Sequence, residues 1–129
     1  MPFYAVWIDR EKARVFQFSD EKMERVVLEA THQDHHTHQL DHEELESKKF
    51  YGEVAEQLGK DGRILVVGPG VIKEHFCSFL TKRFAQISAR VVGCETVDHP
   101  TDHQIAAIAL KYFTTGSPGR KTYGPRSAM

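Results

Sequence analysis

The stretch 3-FYAVWIDREKARVFQF-18 decides the fold of this chain. Phe3–Ile8 is an unbroken apolar run, rich in aromatic and β-branched residues, which predicts a strand buried on both faces. A charged turn at 9–12 leads into a second strand at 13–18, and another short turn leads into a third strand at 23–29. Turns this short join neighbouring antiparallel strands, so the first 29 residues predict an antiparallel meander.

Helical and strand patterns alternate through the rest of the chain. Apolar residues at helical spacing over Leu45–Leu58 predict a helix that Asp41 caps and Gly59 ends. Thr101, with Gln104 three residues later, matches a capping box at the start of the last helix. The remaining predicted elements are a strand at 63–67, a helix at 71–84, a strand at 89–97 and a helix at 101–113.

This order of elements predicts an α/β fold. Three antiparallel strands followed by βα units give a mixed five-stranded sheet with three helices, as in ribonuclease H-like folds. Residues 1–113 are expected to form a single domain. Residues 114–129 contain three glycines, two prolines and no acidic residue, and predict a flexible basic tail that carries Arg120, Lys121 and Arg126.

Charge and composition exclude several classes of protein. Without the tail, the chain has 14 basic and 18 acidic residues, which argues against a dedicated binder of double-stranded DNA and leaves RNA contact by a loop or the tail open. The longest apolar run, about six residues, is far too short to cross a membrane. Cys77 and Cys94 lie in apolar sequence, and the first residues lack the pattern of a secretory signal, so we expect reduced core thiols in a cytoplasmic protein.

Histidines are concentrated in the segment THQDHHTHQLDH at 31–42, which holds five of the eight in the chain. Imidazoles at such density serve as metal ligands, as proton carriers near neutral pH, or as part of a solvated loop. The spacing of His35, His38 and His42 suits a divalent metal if the segment becomes helical near its end. No cysteine accompanies them, so a loop without metal remains an equal alternative, and no other cofactor is indicated.

Two further turns have the composition of binding sites. Gly68, Gly70 and Lys73 place backbone amides and an ammonium at a predicted helix N-terminus, where anions such as phosphate bind, although two glycines also suit any tight strand-to-helix turn. Asp98, His99, Asp102 and His103 cluster at the start of the last helix. Helix capping by these acids is preferred over a metal site, because the sequence shows no third ligand.

Enzymatic activity is not supported by the residues. Two-metal nuclease chemistry requires several acids at the ends of central strands. Asp9 ends the first strand, but the fourth ends in Gly68-Pro69-Gly70, so Asp9 is interpreted as a turn residue. No activated serine or cysteine nucleophile is evident, and we assign no catalytic residue.

Four phrases carry a resemblance to a known family. AVWIDREKARVF (5–16), FYGEVAEQL (50–58), ILVVGPGVIKEHF (64–76) and HPTDHQIAAIALKYF (99–113) resemble the middle domain of archaeal and eukaryotic class-1 peptide-chain release factors and of Pelota, and the small bacterial proteins described as translational machinery proteins. The resemblance implies a ribonuclease H-like fold without nuclease activity. It also implies a role in translation termination or in the rescue of stalled ribosomes.

In release factors, the loop between the third strand and the first helix carries a Gly-Gly-Gln motif that enters the peptidyl transferase centre. Here Thr37 and His38 precede Gln39 in place of the glycine pair, and a side chain at His38 disfavours positive φ angles. Pelota-like proteins also lack the motif and still act on ribosomes. The resemblance therefore implies binding rather than peptidyl-tRNA hydrolysis.

Our leading hypothesis is a stand-alone translation-associated domain. It would contact the ribosome or tRNA through His35, His36, His38 and Gln39 and through the basic tail. Because the flanking domains of release factors are missing from 129 residues, a protein partner would replace them or docking would differ. The alternatives are a metal-dependent or acid–base hydrolase that uses the histidine loop with Asp9 or the 98–103 cluster, and a homo-oligomeric scaffold that pairs through an exposed strand edge.

Overall fold

The computed structural model describes residues 3–19, 22–30 and 40–115, and within them the side chains of 3–19, 22–30 and 48–113. Most of the histidine segment, including His35, His36, His38 and Gln39, lies outside these residues, as does the tail with Arg120, Lys121 and Arg126. Within the described residues, none of the helices has the length and apolar character that crossing a membrane requires.

The described residues form five strands and four helices. They are β1 (Phe3–Ile8), β2 (Lys12–Ser19), β3 (Lys22–Glu29), α1 (Leu40–Glu56), β4 (Arg63–Gly68), α2 (Ile72–Arg83), α3 (Ala85–Ser88), β5 (Val91–Thr96) and α4 (Asp102–Thr115). The strand order in the sheet is β3-β2-β1-β4-β5. The pairs β1–β2 and β2–β3 are antiparallel, whereas β1–β4 and β4–β5 are parallel. The predicted α/β class and mixed five-stranded sheet are confirmed.

The core has two sides, and β1 supplies both. Tyr4, Val6 and Ile8 face α1 and α2 on one side of the sheet. Ala5 and Trp7 face α4 on the other. All five are at most 4% exposed. Each large apolar side chain buried in this way contributes about 1.5–3 kcal/mol to the stability of the fold. The apolar run at 3–8 therefore forms a strand that is buried on both faces, as predicted, and this strand lies at the centre of the sheet.

Helix boundaries differ from the prediction in two places. The backbone is already helical at Leu40, so Asp41 lies inside α1 and its assignment as the N-cap, a position with non-helical backbone, is wrong. The helix predicted at 71–84 is split at Phe84, whose φ of −138° and ψ of 67° leave the helical region. Because the Phe84 carbonyl then accepts bonds from the amides of Ile87 and Ser88, a separate turn, α3, forms and the helices number four rather than three.

Other boundary predictions are confirmed by hydrogen bonds and dihedral angles. The amide of Thr101 donates to Gln104 Oε1 over 2.9 Å, and the amide of Gln104 donates to Thr101 Oγ1 over 3.1 Å, which is the predicted capping box. Gly59, at φ +59°, ends the turn that follows α1.

The connection from α1 to β4 is held by one arginine that the sequence did not single out. The Arg90 guanidinium donates to the carbonyl oxygens of Leu58, Gly59, Asp61 and Gly62 over 2.5–3.1 Å. A planar fork of donors suits several carbonyls in one loop better than an ammonium would. Arg90 thus fixes the start of β4, the neighbour of β1.

β3 lies at one edge of the sheet and is exposed along most of its length. Met23, Val26 and Val27 are between 42% and 48% exposed, and the charged residues Glu24 and Arg25 separate the first from the other two. Within the described residues no strand pairs with the outer edge of β3. Association of copies through a strand edge, the scaffold alternative, stays a prediction.

Two glycine substitutions test how closely the sheet is packed. An added Cβ at Gly68 would collide with the backbone carbonyl of Ile8, which cannot move away as a flexible side chain could. Gly68→Ala is expected to lower the free energy of unfolding by about 2–3 kcal/mol in urea titrations.

Gly52→Ala is the matched control. Gly52 is inside α1, and its Cβ would meet nothing within 4 Å. Because alanine favours the helix over glycine, this change should raise the free energy of unfolding by about 0.5–1 kcal/mol. Equal effects at the two positions would contradict the close approach of β4 to β1.

Candidate functional site

Four strands end at one edge of the sheet, which we call the carboxyl edge. β1, β4 and β5 are mutually parallel, and β3 points the same way because two antiparallel pairings separate it from β1. The turns after Ile8, Glu29, Gly68 and Thr96 therefore lie at this edge. Ligands of open α/β sheets bind outside the carboxyl ends of the strands, so a binding site is expected at this edge.

Asp102, at the start of α4, forms an ion pair with two arginines. Its Oδ1 accepts a hydrogen bond from Arg14 Nη1 over 2.8 Å, and its Oδ2 accepts one from Arg25 Nη1. Arg14 Nη2 also donates to the Pro100 carbonyl over 2.9 Å. Asp102 of the predicted cluster at 98–103 is thus joined to β2 and β3 by charge, and it lies in the first turn of α4, where a carboxylate complements the helix dipole.

The ion pair is partly shielded from water. The Arg14 side chain is 14% exposed and that of Asp102 is 34% exposed. Partial burial opposes ionisation of Asp102, but hydrogen bonds from Arg14 and Arg25 outweigh it, and the pKa of this carboxyl is lowered. Arg14 Nε is buried and has no hydrogen-bond partner among the described residues. Asp102 therefore acts as a fixed negative charge at neutral pH.

Trp7 lies beneath the ion pair. We use the name corner for the site formed by Trp7, Arg14, Arg25, His99 and Asp102. The Arg14 guanidinium lies over the indole, 4.5 Å from the ring centroid, in a cation–π contact. The indole Nε1 donates to the Asp98 carbonyl over 3.1 Å. The His99 imidazole lies against the same indole, with 5.6 Å between ring centroids and 55° between planes. The loop before α4 is therefore tied to the central strand.

A cavity of about 490 Å³ opens beside this loop. Apolar residues supply much of its lining, and the His99 imidazole lies on its wall. This composition suits a small, partly apolar group. The lining residues are Val97, Asp98, His99, Pro100, Gln104, Ala107 and Ile108.

The glycine turn before α2 directs its lysine inward. Gly70 has φ +60°, a conformation that glycine adopts without strain. Lys73 is only 3% exposed, and its Nζ donates to the Gly70 carbonyl. The ammonium is thus engaged by its own turn. Anion binding by Gly68, Gly70 and Lys73 stays a prediction.

Asp9 is confirmed as a turn residue. Its Oδ1 accepts hydrogen bonds from the amides of Glu11 and Lys12, over 2.8 and 2.9 Å. The turn is also hydrogen-bonded to the residue that follows β3: the amide of Ala30 donates to the Glu11 carbonyl over 2.8 Å. The end of β3 therefore lies beside the β1–β2 turn.

The metal hypothesis falls outside what the structure describes. His35 and His38 lie outside the described residues, and His42 is known only as a backbone position in α1. Among the described side chains, those of 3–19, 22–30 and 48–113, no three histidines, cysteines, aspartates or glutamates form a group that could hold a metal ion. Metal binding by the segment stays a prediction.

Sequence reasoning missed Arg14 and Arg25 as parts of this corner. One signal was available: Arg14 interrupts an apolar strand, and a charged side chain in such a position needs a partner when it is buried. The identity of the partner was not available, because 88 residues separate Arg14 from Asp102.

Asp102→Asn tests the ion pair. Loss of the carboxylate leaves Arg14 partly buried without its counter-charge, and we expect the free energy of unfolding at pH 7 to fall by about 1–2 kcal/mol. The folded-state pKa is below the usual 3.8, so the stabilisation is present above that pH and is lost as the pH falls through the folded-state value. The difference from wild type should therefore shrink below about pH 3.8.

Asp98→Asn provides the control, since Asp98 contributes its backbone carbonyl to Trp7 and its side chain is exposed. Its effect should stay within about 0.5 kcal/mol across the same pH range. A loss for Asp102→Asn that is independent of pH would contradict the electrostatic explanation. Both variants are measured by chemical denaturation between pH 3 and 7.

Comparison with known proteins gives structural matches only. No protein-family profile and no curated protein sequence matches the chain. Several solved structures do match. One is Pelota of Archaeoglobus fulgidus, with a TM-score of 0.59 and 19% identity over 85% of this chain and 31% of that chain. Another is Pelota of Thermoplasma acidophilum, with a TM-score of 0.58 and 15% identity over 91% of this chain and 33% of that chain. The archaeal translation termination factor aRF1 also matches, with a TM-score of 0.57 and 15% identity over 88% of this chain and 40% of that chain. The chain thus spans less than half the length of each of these proteins. At such identities the fold alone is shared: the chain has the fold of a part of Pelota and of aRF1.

Proposed function

We propose that this chain is a translation-associated domain that contacts ribosomal or transfer RNA through its carboxyl edge, its histidine segment and its basic tail, without nuclease activity. The observation that carries the proposal is the shared fold over 85–91% of the chain, one match being a translation termination factor. The four sequence phrases that resemble release factors and Pelota support the same function.

Exposed cations lie beside the end of β3, the last described element before the histidine segment in the sequence. Arg10 and Lys12 are exposed in the β1–β2 turn, and the Glu11 carbonyl in the same turn holds the amide of Ala30. Cations beside a histidine segment can bind phosphate while imidazoles stack on unpaired bases. The carboxyl edge therefore offers a small RNA-binding surface on a chain that is slightly acidic overall.

Binding is favoured over hydrolysis as the activity of this surface. Gln39 lacks the glycine pair that would allow the required backbone conformation, and His38 stands next to it. Because the chain spans only 31–40% of its structural matches, we propose that a protein partner supplies what the rest of those proteins would provide.

Co-sedimentation with ribosomes tests the histidine segment. We expect replacement of His35, His36, His38 and Gln39 by alanine to weaken binding about tenfold or more, since each stacked base contributes about 1–3 kcal/mol. The control replaces four exposed polar residues at the opposite edge of the sheet, Lys60, Lys82, Arg83 and Gln86, and should bind as wild type does.

Either of two results would overturn this proposal. The first is that the wild-type chain binds neither ribosomes nor tRNA. Zinc titration of the wild-type chain and of a variant that lacks His35, His38 and His42 would then test the rival hydrolase. Equal weakening by the loop and control variants would show that the contact is unspecific charge attraction.

Salt dependence tests the described part of the surface. Arg10→Ala combined with Lys12→Ala should reduce the slope of log affinity against log salt by about 1.4, because each phosphate contact with single-stranded RNA releases about 0.7 counterion. Lys60→Ala combined with Lys82→Ala removes the same charge elsewhere and should leave the slope unchanged.

The tail is tested in the same way. Replacement of Arg120, Lys121 and Arg126 by alanine should reduce the slope by about 2, measured by filter binding of tRNA at several salt concentrations. Unchanged slopes for both the turn and the tail variants would contradict phosphate contact.

A further inference from the structure

Two cysteines that are 17 residues apart in sequence come together between α2 and β5. The Sγ atoms of Cys77 and Cys94 are 3.9 Å apart, and neither residue forms a disulfide. A disulfide requires about 2.05 Å between the sulfurs, so the two atoms have about 2 Å to close. Both residues are half-buried against the core on the α1–α2 side of the sheet.

The two thiols differ in chemical character. Cys77 donates its S–H to Cys94, and this hydrogen bond lowers the pKa of Cys94 and raises that of Cys77. The Lys73 ammonium, one turn before Cys77 on α2, favours either thiolate, while Glu74 and Glu95 oppose it. Cys94 is therefore the better nucleophile of the pair, and Cys77 is placed to attack it afterwards.

We propose that Cys77 and Cys94 form a redox-active pair, which a hydroperoxide oxidises to an intramolecular disulfide. The Cys94 thiolate attacks the outer oxygen of the peroxide; the O–O bond breaks, and the other oxygen leaves as an alcohol or as water after taking up a proton. The sulfenic acid on Cys94 then reacts with the Cys77 thiol, forming the S–S bond and releasing water. Two electrons pass from the sulfurs to one peroxide.

Such a bond would join α2 covalently to β5, the edge strand that pairs with β4. In the folded protein the sulfurs are already neighbours, so the pair should react within one chain rather than between chains. The site is independent of the proposed RNA-binding surface, and its test requires no ribosome.

The test treats the purified wild-type chain with one equivalent of hydrogen peroxide. We expect a mass decrease of two hydrogen atoms, loss of both reactive thiols, and a Cys77–Cys94 cross-linked peptide in a digest without reductant, all reversed by dithiothreitol. The melting temperature should rise in the oxidised form, since the bond restricts the unfolded chain. A predominantly intermolecular disulfide, or addition of oxygen with no cross-link, would overturn the proposal.

Two variants separate the roles of the sulfurs. Cys77→Ser retains a donor for Cys94, so Cys94 should still be oxidised and its sulfenic acid trapped by dimedone. Cys94→Ser should react at least about tenfold more slowly, because burial still opposes ionisation of the remaining Cys77 thiol. The opposite order of reactivity would overturn the assignment of Cys94 as nucleophile. The cross-linked peptide from the wild-type chain decides the proposal even if a variant fails to fold.

Discussion

Burial of β1 on both faces is the constraint on which the rest of the structure depends. A strand that carries Tyr4, Val6 and Ile8 on one side and Ala5 and Trp7 on the other needs helices on both sides of the sheet. The chain meets this need by placing α1 and α2 on one face and α4 on the other. It also needs a neighbour strand at each edge of β1, which β2 and β4 provide.

The candidate site follows from the same constraint. Trp7 is one of the buried residues of β1, and its indole reaches the Asp98 carbonyl, Arg14 and His99. The loop before α4 is thereby fixed against the centre of the sheet, and Asp102 meets arginines from β2 and β3. The strand beneath this corner, β1, is buried at every position from Tyr4 to Ile8.

Local features of this fold were predictable from the sequence, and contacts between distant residues were not. The apolar run of β1 gave its boundaries at Phe3 and Ile8, and Thr101 gave the start of α4, because periodicity and capping are encoded by neighbouring residues. The break between α2 and α3 at Phe84 depends on backbone angles, and no neighbouring glycine or proline indicates it in the sequence. Likewise, the partners of Arg14 and the closeness of Cys77 to Cys94 arise only when separate elements pack.

Trp7 is the only tryptophan in the chain, and it is fully buried beneath the loop that precedes α4. Intrinsic tryptophan fluorescence therefore originates from a single point, where the central strand, Arg14 and the His99 loop meet. Any ligand or partner that displaces this loop alters the hydrogen bond from the indole to Asp98 and the charge above the ring. The protein thus carries its own optical probe at the corner where binding is expected, and no label is needed to follow it.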